Sequence, residues 1–173
     1  MVSHNLKHAD PVHKISIISR GQAAGYTINL PKRDKKLQSY SEFIDSMAVL
    51  LGGFAAEKTF FGEVTTGSSN DLQRATATAR KIVTQFGMDE KLGPRTFGQK
   101  DEMVFLGREI HERRDYSEKT AETIDQEISN YINEALQTAL RLIKEQKNKM
   151  DKIAGVLLEK ETIEKEEFGK LMA

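Results

Sequence analysis

The spacing of apolar residues predicts a short β-hairpin near the N-terminus, followed by a long series of helices. Residues 12–19 alternate apolar and polar side chains, which predicts a strand. Residues 24–30 predict a second strand, so that a hairpin spans residues 12–30. Residues 41–173 then predict a helical array. A strand pair followed by helices indicates a mainly α fold of the α+β class.

Helical periodicity is clearest in three segments, each with apolar residues three and four positions apart, as expected for a helix with one buried face. The segments are 41–62, capped by Ser41; 70–86; and 117–146, capped by Asp115 or Ser117. Two shorter helices are predicted over 148–159 and after a Thr162 cap. Gly52 and Gly53 lie inside the first helix. Because glycine there costs about 1 kcal/mol relative to alanine, the pair predicts close approach of another backbone.

Composition excludes several classes of protein. A length of 173 residues suits a single domain over 1–173. Twenty-six basic and 26 acidic residues give no net charge, which argues against nucleic acid or an anionic membrane as partner. The absence of cysteine excludes disulfides, thiolate zinc sites, iron–sulfur clusters and a cysteine nucleophile. No apolar run is long enough to span a bilayer, so we expect this chain to be soluble.

Two histidines near the N-terminus have the spacing of a helical zinc site. His4 and His8 are four residues apart in a segment, 1–9, that predicts a helical remnant. A zinc peptidase also needs glutamate after the first histidine as general base, and Asn5 stands there. A neutral amide cannot take that proton. We therefore favour two surface histidines, with an adventitious metal site as the alternative.

A polar segment before the second long helix offers a further candidate. Residues 65–71 read TTGSSND, and the acid falls in the first turn of the predicted helix. Periodicity favours a capping box, Ser68-x-x-Asp71, in which the carboxylate also complements the helix dipole. A metal-ligand or catalytic role for Asp71 is the alternative.

Several ordered blocks of the chain resemble the peptidase domain of FtsH-type AAA+ zinc metalloproteases. They cover nearly the whole chain in the order in which the family has them. The blocks are DPVHKI (10–15), GGFAAE (52–57), FGEVTTGSSNDLQRAT (61–76), MDEKLGP (88–94), FLGRE (105–109), DYSEKTA (115–121) and LEKET (158–162).

The resemblance implies a zinc site and a substrate strand. In the family, zinc is held by two histidines of an H-E-x-x-H helix and by the aspartate of a Thr-Gly-x-x-Asn-Asp motif, which places the third ligand on Asp71. Glu57 matches a glutamate near the metal and is interpreted either as orienting a ligand histidine or as a structural carboxylate. The family's substrate-binding edge strand corresponds to Ala24, Gly25, Tyr26, Thr27, Ile28 and Asn29. An extended polypeptide can add to such an edge through main-chain hydrogen bonds.

One departure from the family concerns the catalytic helix. In the family the H-E-x-x-H motif lies about ten residues before the aspartate that corresponds to Asp10, so it would end just upstream of Met1. His4 and His8 are thus out of register with the ligands. The expectation is an N-terminally truncated fragment that holds no catalytic residue, binds no stoichiometric zinc and is inactive. A catalytically dead homologue that keeps an oligomerisation and substrate-binding surface is the alternative, but the retained Asp71 favours the fragment.

The resemblance also implies what the intact parent does. It would be a hexameric, membrane-anchored protease that degrades unfolded and membrane proteins. ATP would bind only to a separate ATPase module. The expected location is the inner membrane of a bacterium, with the peptidase domain on the cytoplasmic side and no nucleic-acid partner.

Overall fold

A computed structural model describes residues 1–19, 25–31, 37–98 and 115–173. Within these ranges the strands are β1 (Val12–Ser16), β2 (Tyr26–Asn29) and β3 (Thr162–Glu164). The helices are α1 (Tyr40–Leu50), α2 (Gly52–Phe60), α3 (Ser69–Thr84), α4 (Glu118–Glu145), α5 (Lys147–Lys160) and α6 (Lys165–Met172). Two 3₁₀ turns cover Ser3–Asn5 and Thr66–Ser68. The predicted mainly α fold with a small sheet is therefore confirmed.

The three strands form one antiparallel sheet in the order β2-β1-β3. Ile15 of β1 pairs with Thr27 of β2 on one side and with Ile163 of β3 on the other. The predicted hairpin is present, although its connection, residues 20–24, lies outside the described residues. Because β1 is central, β2 is an edge strand among the strands that the structure describes.

Strand β3 was not expected, because the sequence pattern predicts Thr162 as a helix cap. Instead the Thr162 hydroxyl donates to the Ser16 hydroxyl at 3.1 Å, and α6 begins only at Lys165. Ile163, the central residue of β3, is fully buried. The strand escapes sequence-based prediction because its partner lies 146 residues away.

The predicted helix 41–62 is divided into α1 and α2 at Leu51. A capping box begins α1, but Ser39 forms it instead of Ser41. The Ser39 hydroxyl accepts from the Glu42 N–H, and the Glu42 carboxylate accepts from the Ser39 N–H at 2.7 Å. Of these two serines, only Ser39 is followed by glutamate three residues later, which is the spacing that a capping box requires.

Among the described residues, a β-carbon on either glycine at the start of α2 would meet no other backbone, which is contrary to the prediction. A β-carbon at Gly52 would lie 3.3 Å from Cγ2 of Val2, so the close neighbour is a side chain of the N-terminal segment. A β-carbon at Gly53 would meet no atom of the described residues within 4 Å. The close packing at Gly52 therefore brings the N-terminal segment against the helices.

The described residues form two hydrophobic cores, and the long helix α4 organises the larger one by packing against α1, α2 and α3. The smaller core joins the sheet to α5 and α6 through Val12, Ile153, Leu157, Ile163, Phe168 and Met172. The N-terminal segment connects the two, since Val2 belongs to the larger core and Val12 to the smaller one. This connection positions the sheet beside the helices.

Candidate active site

An open cleft with a volume of about 1170 Å³ lies between the sheet and the helical part. The edge strand contributes Tyr26, Thr27 and Asn29 to its wall, and the residue before the strand, Gly25, also lines it. Asp71 lines the same cleft from the first turn of α3. The structure therefore brings together the metal-ligand candidate and the described part of the substrate strand.

The Asp71 side chain is open to solvent and weakly paired. It is 46% exposed, and its Oδ1 lies 3.6 Å from Nη1 of Arg74, one turn further along α3. Sequence reasoning did not identify Arg74, although acid and base three residues apart on a helix often pair. A charged oxygen at the edge of a cleft is a suitable donor for zinc.

The predicted capping box between Ser68 and Asp71 is wrong. Ser68 lies in the 3₁₀ turn with φ −89° and ψ 2°, and its side chain makes no capping hydrogen bond to α3. A capping residue normally has extended backbone, which turns its hydroxyl towards the helix N–H groups. The Ser68 hydroxyl is buried without a hydrogen-bond partner among the described residues. The Ser68 side chain therefore does not cap α3, and a capping box does not explain why Asp71 occupies this position.

Glu57 reaches from α2 to the turn that precedes α3. Its carboxylate accepts from the Thr65 N–H at 2.8 Å and from the Thr65 hydroxyl at 2.9 Å. The same hydroxyl oxygen accepts from the Gly67 N–H at 3.1 Å. Sequence analysis did not identify Thr65 as a partner, because it lies eight positions after Glu57 and the end of a helix falls between them.

The proposed substrate strand is described from Gly25 to Asn29, and Ala24 lies outside the described residues. Thr27 and Ile28 are exposed, whereas Tyr26 and Asn29 are partly buried. A β-carbon at Gly25 would lie 2.6 Å from the Ser16 carbonyl oxygen, so this position accepts only glycine without rearrangement. The hairpin is therefore closely packed where β2 begins.

The N-terminal histidines do not share a helix face as their spacing suggests. The 3₁₀ turn ends at Asn5, and Leu6 is extended. The His4 ring packs edge-on against Phe168 at 5.5 Å, and burial, followed by the N-terminal ammonium and Lys149, lowers its pKa. His8 lines the cleft, and its backbone N–H donates to Asp45.

The described residues supply one of the ligands that a zinc site needs. Within residues 1–19, 25–31, 37–98 and 115–173, no group of three or more histidine, aspartate and glutamate side chains could hold a metal ion. Asp71 supplies one suitable oxygen donor, so further ligands would have to come from other residues. The helices of these ranges are also too short or too polar to cross a membrane.

Comparison with known proteins gives consistent matches. The model of peptidase family M41 matches residues 1–171. The ATP-dependent zinc metalloprotease FtsH 1 of Conexibacter woesei is 49% identical over 172 residues, covering 99% of this chain and 26% of that protein. FtsH of Slackia heliotrinireducens is 49% identical over 172 residues, 99% of this chain and 22% of that protein. FtsH of Thermotoga maritima is 45% identical over 174 residues, 100% of this chain and 28% of that protein. The chain thus spans about a quarter of the length of these curated relatives.

Proposed function

The chain belongs to peptidase family M41, and on that premise we propose that it is the proteolytic domain of an ATP-dependent zinc metalloendopeptidase. The observation that carries the proposal is the position of Asp71. Its half-exposed carboxylate lines the cleft that the edge strand β2 also lines. A carboxylate that can bind metal, placed beside a strand that can bind extended polypeptide, suits metal-dependent hydrolysis of a peptide.

Asp71 would serve as the carboxylate ligand of the zinc ion. Zinc, when bound, supplies Lewis acidity that polarises a peptide carbonyl and activates water for attack. The first turn of α3 gives the carboxylate a defined direction, and the Arg74 guanidinium at 3.6 Å balances its charge in the metal-free chain. The two histidine ligands and the general-base glutamate would come from an H-E-x-x-H helix preceding this chain.

The edge strand β2 would bind the substrate backbone. It pairs with β1 on one side only within the described residues, so main-chain groups on its other side can accept a further strand. Hydrogen bonds to the main chain do not depend on the substrate's side chains. This binding mode suits a protease that degrades unfolded and membrane proteins of unrelated sequence.

The parent protein is proposed to be a homo-hexamer with an ATPase module and a membrane segment, located in a bacterial inner membrane with this domain on the cytoplasmic side. The names of the curated relatives support the ATP-dependent and zinc-dependent parts of this proposal. This chain by itself is proposed to be inactive and to hold no stoichiometric zinc. A catalytically dead homologue is less well supported, because the chain keeps Asp71 at the cleft that β2 also lines.

The experiment uses two chain lengths and two residues at position 71. The short form is the 173-residue chain, and the long form adds the preceding segment with its H-E-x-x-H motif. Zinc content by elemental analysis and cleavage of casein should appear only in the long form. Asp71→Asn in the long form should abolish both, because a neutral amide is a weaker donor to zinc.

The matched control is Glu63→Gln, an exposed acid outside the cleft. It should leave zinc and activity of the long form unchanged. In the short form, Asp71→Asn should lower the free energy of unfolding by less than about 1 kcal/mol, the contribution of an acid near a helix N-terminus. Stoichiometric zinc in the short form, or full activity of the long Asp71→Asn variant, would contradict the assignment.

A further inference from the structure

Arg74 is the one residue among the described lining of the cleft whose side chain carries a permanent positive charge. It stands on α3 three positions after Asp71, so the two side chains share a face of the helix. The Arg74 side chain is 65% exposed. Its guanidinium is therefore open to the cleft, beside the carboxylate that is proposed as a metal ligand.

The Arg74 guanidinium donates no hydrogen bond to a described residue. Its Nη1 lies 3.6 Å from Oδ1 of Asp71, which is beyond the range of a directed hydrogen bond. An arginine side chain carries five N–H donors in a planar fork that matches the two oxygens of a carboxylate. Arg74 can thus bind a carboxylate from outside the chain without first breaking a hydrogen bond of its own.

The other charges of the cleft wall are mainly negative. Asp10, Glu42 and Asp71 line it, and the Glu42 carboxylate is already engaged by the Ser39 N–H at 2.7 Å in the cap of α1. Like charges repel an incoming carboxylate, and an opposite charge attracts it. Among the described lining residues, Arg74 alone offers a permanent cation, so a carboxylate that enters the cleft should bind beside this residue.

Arg74 loses its counter-ion under the proposed function. In the metal-free chain, the Asp71 carboxylate offsets part of the Arg74 charge. If Asp71 holds a divalent cation, the charge of the ion has to be counted in the local electrostatics, and it offsets the carboxylate. Arg74 then stands beside a positive centre, and a carboxylate brought by the substrate supplies the missing negative charge.

The strand that is proposed to bind substrate lines the same cleft as Arg74. Thr27 and Asn29 of β2 contribute to its wall. A polypeptide that adds to β2 would therefore run through the cleft, and each residue of an extended chain advances it by about 3.3 Å. The Arg74 guanidinium lies 3.6 Å from the proposed ligand oxygen. A carboxylate bound to it would thus belong to a residue within about two or three positions of the cleaved bond.

We propose that Arg74 is a specificity residue that binds a carboxylate of the substrate polypeptide close to the cleaved bond. The carboxylate belongs either to an aspartate or glutamate side chain or to the C-terminus of the substrate, and peptides with free and amidated C-termini separate these two sources. The effect of Arg74 on cleavage rests on the proposed function, whereas carboxylate binding in the cleft does not.

The first test measures binding to the metal-free chain by NMR titration, with acetylated and amidated peptides that differ only in a central glutamate, glutamine or lysine. Asp71→Asn removes the counter-ion of Arg74 and should raise the affinity for the glutamate peptide by about fivefold, the upper end for an exposed ion pair. Adding Arg74→Gln should cancel this gain. The glutamine peptide with a free C-terminus tests the terminal carboxylate. If the Asp71→Asn chain prefers neither the glutamate peptide nor the free C-terminus over the amidated glutamine peptide, the proposal is wrong.

The second test measures kcat/KM of the zinc-loaded full-length protein on a neutral peptide in which glutamate, glutamine or lysine is placed at each position in turn. Near the cleaved bond, glutamate should be preferred over glutamine by about fivefold, mainly through KM. Arg74→Gln should remove this preference, and Arg74→Glu should reverse it in favour of lysine. The control Arg80→Glu, exposed on α3 and outside the cleft, should leave the preference unchanged.

Zinc content separates an effect on substrate from an effect on metal. It should stay stoichiometric in all Arg74 variants, so that a lost preference does not come from lost metal. If Arg74→Gln retains the preference of the unmodified protein, or if lysine is preferred near the cleaved bond, Arg74 does not select the substrate and the proposal is overturned. If the full-length protein cleaves no peptide, the proposed function fails, and the NMR titration alone decides whether Arg74 binds carboxylates.

Discussion

Glu161 is the residue at which a change should most clearly increase stability. Its backbone is left-handed, with φ 60° and ψ −15°, and among the described residues it is the only one other than glycine with positive φ. It ends α5, where its N–H donates to the Leu157 carbonyl at 2.8 Å. Its own carbonyl accepts from the Ile17 N–H at 3.0 Å and from the Ser16 hydroxyl at 3.2 Å. The strained conformation is therefore imposed by the connection between α5 and the sheet.

The expected gain follows from two opposing effects. A left-handed conformation costs a residue with a side chain roughly 1–2 kcal/mol. Glycine avoids this cost but loses more conformational entropy on folding, by roughly 0.5–1 kcal/mol relative to alanine. Glu161→Gly should therefore raise the free energy of unfolding by about 0.5–1 kcal/mol. Each kcal/mol corresponds to about 2–4 °C in Tm for a domain of this size.

The assay is urea and thermal unfolding of three variants of the chain. Glu161→Ala removes the exposed side chain but keeps the strain, so it should change stability by less than about 0.5 kcal/mol. Glu159→Gly, at an exposed position inside α5, should instead lose about 1 kcal/mol. Two results would refute the reasoning: a loss in Glu161→Gly like that in Glu159→Gly, or an equal gain in Glu161→Ala. Either would show that backbone strain is not the property being changed.

Two further predictions concern pH and metal. Burial raises the pKa of the Tyr131 hydroxyl, which donates to the buried Asp89 carboxylate at 3.1 Å. Its contribution to stability is complete below its unfolded-state pKa of about 10 and is lost as pH rises above that value, by up to about 1.4 kcal/mol per pH unit. Tyr131→Phe should flatten this decline and cost about 1–3 kcal/mol at neutral pH, because Asp89 loses a donor. Because both cores of the described part are built from apolar side chains, excess EDTA should leave Tm unchanged, and a large fall would show that a metal supports the fold.

The sequence by itself determined the features that depend on near neighbours. The stripe of α4 repeats every three or four residues, and its cap at Ser117 accepts from Thr120 three residues later. The left-handed Gly87 follows α3, as a glycine beyond a helix end predicts. These patterns are readable because side chain and backbone interact within one helical turn.

The ordered motifs likewise placed the chain in its family and identified Asp71 as the candidate ligand. Their order along the chain is a property of sequence, so no coordinates were needed for that step. Periodicity alone pointed instead to a capping box at Ser68, which the structure does not form. Motif identity and local periodicity thus led to different interpretations of the same seven residues.

Only the tertiary structure decided which distant segments meet. It placed β3 beside β1, although Thr162 and Ser16 are 146 residues apart. It also brought Glu57 of α2 to Thr65 and set Asp71 in the cleft lined by β2. Such contacts depend on how helices and strands pack into two cores, and the free energy of that packing is shared among residues throughout the chain. A short stretch of sequence does not show which distant residues will meet, so the partner of Glu57 became apparent only in the folded molecule.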